Sequence, residues 1–463
     1  MAPDEAYYWA WSHALAPGFL DHPPMVALWI RAGTWCLGEG NLGVRLLSPF
    51  ATLLGSVLLA RAAEDLLPGR KAGVVAVILL NASLIAAVGA TTATPDTALL
   101  LFWTGTLWAL GRLVATGSGA WWLVAGLSAG LALDSKYTAV LLAPAILVWL
   151  VITPSLRFWL RRWQPWAAAT IAALAFAPVL AWNAAHDFAS FAKQGGRASD
   201  FDPGRALQFL GELVGGQIGL ATPGVALLLA AGIVLAVRQA RTGAGFALLA
   251  CLSVVPALVF VQHALGDRVQ ANWPVILYPA ASIAAGGLSG RLRAWWRPAA
   301  ALGFALTALV WVQAIWAPAP LPMMQDPTLL RLGGWQALAN DIEAMARQEQ
   351  ATFIASDNYG HAALLARLMP KGRVVLGVEG RWALFDLPSG QTVINGQTGL
   401  LVRSARRDDA PDERPWGAIT RLAGLTRARG GMAAEGFRLY RVVGRSSIVP
   451  VAVMPRQVPG AMP

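Results

Sequence analysis

The chain has 463 residues, 56% of them hydrophobic and only 13% charged, with 21 Trp. Soluble domains carry about 25% charged residues, so this composition excludes one large globular core and indicates a polytopic membrane protein. The formal net charge of +11 does not imply nucleic acid, because the basic residues collect in short loops between apolar runs and no basic-aromatic motif stands out. Cys36 and Cys251 both lie in apolar runs; they make no disulfide framework and do not report the compartment.

The first twenty-four residues, MAPDEAYYWAWSHALAPGFLDHPP, set Asp4, Glu5, Asp21 and His22 among Tyr7, Tyr8, Trp9 and Trp11. They lack the basic start and apolar core of a signal peptide. Residues 25–37, MVALWIRAGTWCL, are too short to span and are interrupted by Arg31. They predict an interfacial or re-entrant helix, since a span needs about 20 residues. Ten spans follow, at about 44–60, 72–90, 97–115, 119–133, 137–153, 165–183, 222–238, 244–263, 273–290 and 298–316.

Lys and Arg set the orientation. Arg61, Arg70, Lys71, Arg112, Arg157, Arg161, Arg162, Arg238, Arg241, Arg291, Arg293 and Arg297 crowd one set of short loops. Those loops should be cytoplasmic. The opposite loops hold Arg31, Arg45, Lys136, Lys193, Arg197, Arg205 and Arg268, mixed with acids. The opening stretch, the loops at 96, 134–136 and 264–272, and a long loop at 184–221 then share the outer face. Ten spans leave the C-terminal part outside too. An outer opening stretch with no helix before it predicts one further span ahead of residue 1.

Pro318, Pro320 and Pro322 mark a linker into a soluble C-terminal part. TFIAS (352–356), RVVLGV (373–378), GLLVRSA (399–405) and FRLYRVV (437–443) read as strands, HAALLARLM (361–369) as a helix and DDAPDERP (408–415) as a loop. The domains are therefore 1–43, an outer loop with interfacial helices; 44–316, all-α and membrane-spanning; and 317–463, a small α/β domain.

Each polar motif has two readings. Asp4-Glu5 could supply a carboxylate to take a proton, or could complement a helix dipole beside an aromatic belt. Asp96 in TATPDTALLLFW follows Pro95 and by itself reads as a helix cap. Lys136 and Tyr137 in DSKYTAVLL lie between spans, against the positive-inside bias; snorkelling is the alternative to a phosphate site. Arg268 and Asn272 in GDRVQANWP form a second outer cluster, or a turn with its belt. The Gly-Gly-Arg197 that ends WNAAHDFASFAKQGGR could wrap phosphate or sugar, a weak signal. His186 and His263 read as structural. No cluster has metal-ligand spacing, so no cofactor is assigned and a divalent metal is left open.

The order DEAYYWAW, DHPP, TPDTALLLFW, SKYTAVLL, WNAAHDFASFAKQGGR, ANWP, YPA resembles the glycosyltransferase family 39-like enzymes of the GT-C superfamily, relatives of protein O-mannosyltransferases and of the lipid A aminoarabinose transferase. The likeness covers about 1–290, and ASDNYGHAALLARLMP extends it loosely into the C-terminal domain. It implies a GT-C-type membrane domain, a polyprenyl-phosphate-sugar donor, chemistry on the periplasmic face of a bacterial inner membrane, and inversion at the anomeric carbon. By position it implies that Asp4 is catalytic with Glu5 as its acidic neighbour. It implies that Asp21 and His22 match an acidic-then-basic pair of the aminoarabinose transferases and that Lys136 meets the donor phosphate; from their own motifs Asp96, Tyr137, Arg197, Arg268 and Asn272 are read with them as donor-phosphate or substrate contacts. His22 stands where the aminoarabinose transferases have Lys, which makes phosphate contact there pH-dependent. The partners implied are the lipid-linked donor, an envelope glycolipid or protein acceptor, and the bilayer. A transporter or flippase is the alternative, but it calls for midplane charges and matched broken helices. An envelope scaffold is the third reading.

Overall fold

The structure is a computed structural model that describes residues 1–195 and 203–455; Arg197 lies outside them. The chain divides into two compact units. One comprises 1–16, 27–46 and 309–463, the other 17–26 and 47–308.

The second unit is helical. Among the described residues five helices are long and apolar enough to cross a membrane, and up to seven if each of two bent pairs is one span. Leu47–Leu66, Pro95–Thr116, Ala120–Leu133 and Trp163–Ala185 pack in sequence as neighbours. Small residues make that possible. A Cβ at Gly126 would run into the backbone of Ala168, so the helices at 120–133 and 163–185 touch backbone to backbone there. Large apolar side chains stay exposed along the helices, Val74, Leu174, Leu227 and Leu258 each more than 60%. Such faces suit lipid, where a helix satisfies its own backbone polar groups. The crowded basic loops also cap helix ends: Arg70 donates to the Gly287 carbonyl (2.9 Å) and Arg293 to that of Gly286 (3.0 Å).

The expected loop at 184–221 is not a loop. It contains helices Ala189–Gly195 and Pro203–Ala221, and the second bends by 111° into Pro223–Gln239. Glycines at 211, 215, 216 and 219, with Glu212, keep that stretch below the apolar density of a span. Thr222 then turns the chain at φ 70 before Pro223 starts the next helix.

The first unit carries the sheet. Its strands are β1 (Phe353–Ser356), β2 (Val374–Val378), β3 (Thr398–Ser404), β4 (Trp416–Arg421), β5 (Leu425–Arg429), β6 (Met432–Gly444) and β7 (Val451–Val453). They lie in the order β4-β6-β3-β1-β2-β7, with β5 also on β6. β1 is parallel to both β2 and β3; the outer pairings are antiparallel. β1 is buried along its whole length, as expected of a central parallel strand covered on both faces. Helix Tyr359–Leu368 connects β1 to β2. β1, β2, β3, the 437–443 part of β6 and this helix are where the sequence placed them; β4, β5 and β7 were not expected.

Residues 1–16 of the opening stretch belong to this unit. Helix Pro3–Trp11 packs on helix Tyr359–Leu368. Gly360 permits the approach, since a Cβ there would sit 2.9 Å from Pro3 Cβ. Tyr7, Trp9 and Trp11 are 2% exposed or less, so they form core and not an interfacial belt. Met25–Leu37 is helical, as expected.

Candidate active site

Two groups of the sequence-selected residues come together, one in each unit. In the first, Pro3 at N1 starts the helix and puts Asp4 and Glu5 in its first turn. Their fates differ. Glu5 is 2% exposed and is held by Arg45, Nε to Oε1 at 2.7 Å and Nη2 to Oε2 at 2.5 Å, while Ala2 N–H donates to it at 3.1 Å. Asp4 turns outward with its side chain 45% exposed. Arg331 donates to its Oδ2 at 3.2 Å and the Tyr359 hydroxyl stands 3.5 Å from Oδ1. Of the two acids Asp4 is thus the one a reactant can reach. It lines a polar cavity of about 370 Å³ with Arg331, Trp335, Tyr359, His361 and Arg406.

In the second unit Asp96 and Lys136 meet. Pro95 opens the helix that carries Asp96, and Lys136 sits in extended backbone just before Tyr137. Lys136 Nζ donates to Asp96 Oδ1 at 2.7 Å and Asn272 Nδ2 donates to Oδ2 at 2.7 Å. Lys136 is 4% exposed. A buried cation is tolerated when a carboxylate partners it, and here one of its three donors is used on Asp96.

Asp21 and His22 lie in the turn before Pro23-Pro24. Asp21 pairs with Lys193, and Gln194 Nε2 donates to its carbonyl at 2.8 Å. His22 feels Lys136, Asp21, Asp96 and Lys193 together. Burial, and next the Lys136 charge, push it down to about 4, so its imidazole is neutral near pH 7. The residue as a whole keeps some exposure, but Nδ1 is covered. Tyr137 bonds Ser190 through its hydroxyl at 2.6 Å and packs edge-on to Phe191. Arg268 instead takes Glu212, at 2.5 and 2.9 Å, on an exposed surface. A cavity of about 190 Å³, mostly apolar and lined by Leu80, Ile85, Val88 and Leu101, includes Asp96 and Asn272 in its wall.

Several participants escaped the sequence reading as site residues. Arg331 is 327 residues from Asp4, and no local pattern links them. Arg45 and Lys193 were counted only as outer-face charges. Among the described residues no three His, Cys, Asp or Glu side chains converge as metal ligands.

One unit is built of apolar helices and the other carries a mixed sheet. The family described as dolichyl-phosphate-mannose-protein mannosyltransferase matches residues 21–182, the segment that contains Asp21, His22, Asp96 and Lys136. Lipid A galacturonosyltransferase RgtD of Rhizobium johnstonii is 28% identical over 283 residues, 61% of this chain and 59% of its own length. An undecaprenyl phosphate-alpha-4-amino-4-deoxy-L-arabinose arabinosyl transferase of Edwardsiella ictaluri is 28% identical over 167 residues, 34% of this chain and 28% of its own. The chain thus spans less than two thirds of either relative. The crystal structure of ArnT from Cupriavidus metallidurans in the apo state superposes with a TM-score of 0.60 at 16% identity, covering 95% of this chain and 93% of that one. The same protein bound to undecaprenyl phosphate gives 0.59 at 16%, covering 91% and 88%. The chain is similar to the family 39-like, GT-C glycosyltransferases, and it has the ArnT fold, mostly helical with a small C-terminal sheet domain.

Proposed function

We propose that this chain is an inverting glycosyltransferase that moves a sugar from a polyprenyl-phosphate donor to an envelope acceptor, a glycolipid or a protein. The observation that carries the reading is the buried Lys136 held on Asp96, both within the segment matched by the family, with Asn272 on the same carboxylate and Asp96 and Asn272 in the wall of an apolar cavity. An ammonium that uses one donor on Asp96 can place others on a phosphate, and an apolar wall suits an isoprenoid chain. The relatives named above carry lipid A and undecaprenyl phosphate in their names, which supports a lipid-linked donor over a transporter's cargo.

Asp4 is assigned the proton of the acceptor hydroxyl as that oxygen attacks the anomeric carbon. Lys136 is assigned the phosphate that leaves with the bonding electron pair. His22, held neutral near pH 7 by burial and by the Lys136 charge, gains a proton only against the phosphate charge. Arg197, Arg268 and Tyr137 remain assigned to substrate contact, Arg268 after release from Glu212. Because the leaving group is a phosphate, no general acid is required.

The membrane reading is ten spans: the five long helices, the two bent pairs, and the shorter Ala72–Ala82, Ala120–Leu133 and Trp273–Gly286. With the basic loops cytoplasmic, Asp4 and the sheet domain are periplasmic at a bacterial inner membrane. The boundaries 1–43, 44–316 and 317–463 are proposed as functional divisions; the compact units instead group 1–16, 27–46 and 309–463, and 17–26 with 47–308.

The test is transfer of labelled sugar from a polyprenyl-phosphate donor in proteoliposomes. Asp4→Asn should lower the rate at least about 100-fold, the lower end of general-base effects. Wild-type rates in that variant would remove Asp4 from the chemistry.

A further inference from the structure

Residues 154–166, PSLRFWLRRWQPW, lie outside the groups assigned to transfer. They join helix Leu142–Ile152 to helix Trp163–Ala185 within the helical unit. The chain turns by 118° between Tyr137–Ile152 and the 3₁₀-helix Pro154–Arg161, so the segment runs across the end of a span and not along it. Pro154 supports the turn, because Pro disfavours helical backbone in the residue before it, and Thr153 is extended.

Side chains three apart eclipse in a 3₁₀-helix. Leu156 and Trp159 form the inner row. Trp159 is buried beside Trp122, ring centroids 6.1 Å apart, and Leu156 packs on the same core. Gly119 admits that row, since a Cβ there would stand 3.0 Å from the Trp159 ring. Phe158 and Arg161 form an outer row, and both are exposed. Arg157, Arg162, Trp163 and Trp166 are exposed as well.

The charges of this segment are unspent. Among the described residues Arg161 and Arg162 make no side-chain hydrogen bond or ion pair. Arg157 commits only Nε, to the Val151 carbonyl at 2.7 Å. The sequence has no Asp or Glu from 135 to 186. In other basic loops the cations are taken up: Arg112 holds Asp65 at 2.9 Å, and Arg70 and Arg293 cap helix ends.

The geometry points to a docking surface for an anionic phospholipid, one whose headgroup keeps a net negative charge beyond its phosphodiester's zwitterionic counterparts, as phosphatidylglycerol does. Guanidinium forks without carboxylates suit phosphate oxygens. Exposed Phe158, Trp163 and Trp166 suit the boundary between headgroups and acyl chains. The flanking helices expose apolar side chains, Val151 and Ile152 before the segment and Leu174 after it, so the patch borders surface that faces lipid. That continuity favours a lipid over an acidic protein or a nucleic acid.

Native mass spectrometry of the full chain in a zwitterionic detergent tests this, with phosphatidylglycerol and phosphatidylcholine of matched acyl chains. Wild type should retain phosphatidylglycerol at least about tenfold more than phosphatidylcholine, the factor that one charge-assisted pair supplies. Arg161→Gln combined with Arg162→Gln should abolish most of that preference, and the paired changes to Lys should recover part of it. Arg238→Gln combined with Arg241→Gln removes the same charge from another loop and should leave the preference intact. Equal retention of the two lipids by wild type, a wild-type preference in the Arg161/Arg162 glutamine variant, or an equal loss in the Arg238/Arg241 variant overturns the surface. Displacement of phosphatidylglycerol by a short oligouridylate assigns the patch to nucleic acid and overturns it too.

Discussion

Asp4 and Glu5 show how adjacent carboxylates acquire separate jobs. Glu5 is buried against Arg45, and removing one partner of a buried pair leaves the other charge uncompensated. Glu5→Gln should therefore destabilise the sheet-bearing unit by ~3–5 kcal/mol, seen as a lower thermal midpoint. Asp4→Asn should change that midpoint little, because the Asp4–Arg331 pair is exposed. The sequence showed two acids in one helical turn but not which was buried, since that depends on Arg45, 40 residues away. His361 belongs at this scale too. Burial holds it down at about 4 from 6.5. Between those values the unfolded chain takes up a proton that the folded one does not, so stability rises with pH across the window and falls as pH drops from about 6.5 towards 4. Chemical denaturation at pH 7 and pH 5 should show the loss, and His361→Gln should flatten it. A slope unchanged in that variant would assign the effect elsewhere.

At the scale of elements, close backbone approach decides what can pack. Gly360 lets helix Pro3–Trp11 reach helix Tyr359–Leu368, with Pro3 Cβ 2.9 Å from where a side chain would start. Gly360→Val should cost ~1–3 kcal/mol by overpacking. It should also make the first helix more accessible to protease, while the same change at Gly417, where the nearest atom is 3.8 Å away, should not. The strands that escaped prediction share a cause. LTRAR carries Arg427 and Arg429 and WGAITR opens on Trp-Gly and ends in Arg421, so neither reads as the continuous apolar run of a central strand. TFIAS and RVVLGV were legible because central parallel strands read as continuous apolar runs. Helix Pro203–Ala221 was lost to its glycines, which break the apolar count without breaking the helix.

For the whole molecule, composition and loop charge made the class legible and left the contacts hidden. The Lys136–Asp96 pair joins two motifs that the sequence had to weigh separately, one as a cap and one as a snorkelling lysine. Only the packing of the spans makes them one group. The orientation is open to labelling: a cysteine placed at Asp412 should react with an impermeant maleimide from the periplasmic side, and one at Arg241 should not. Reaction of both, or only of the second, would reverse the assignment of faces.

The central claim is that the buried group around Lys136 takes the donor phosphate. Native mass spectrometry of the detergent-purified chain with polyprenyl phosphate measures this directly. The account predicts that wild type and Asp4→Asn retain the lipid equally, and that Lys136→Met retains about tenfold less or weaker still, from loss of a charge-assisted contact. Equal retention by Lys136→Met would contradict it.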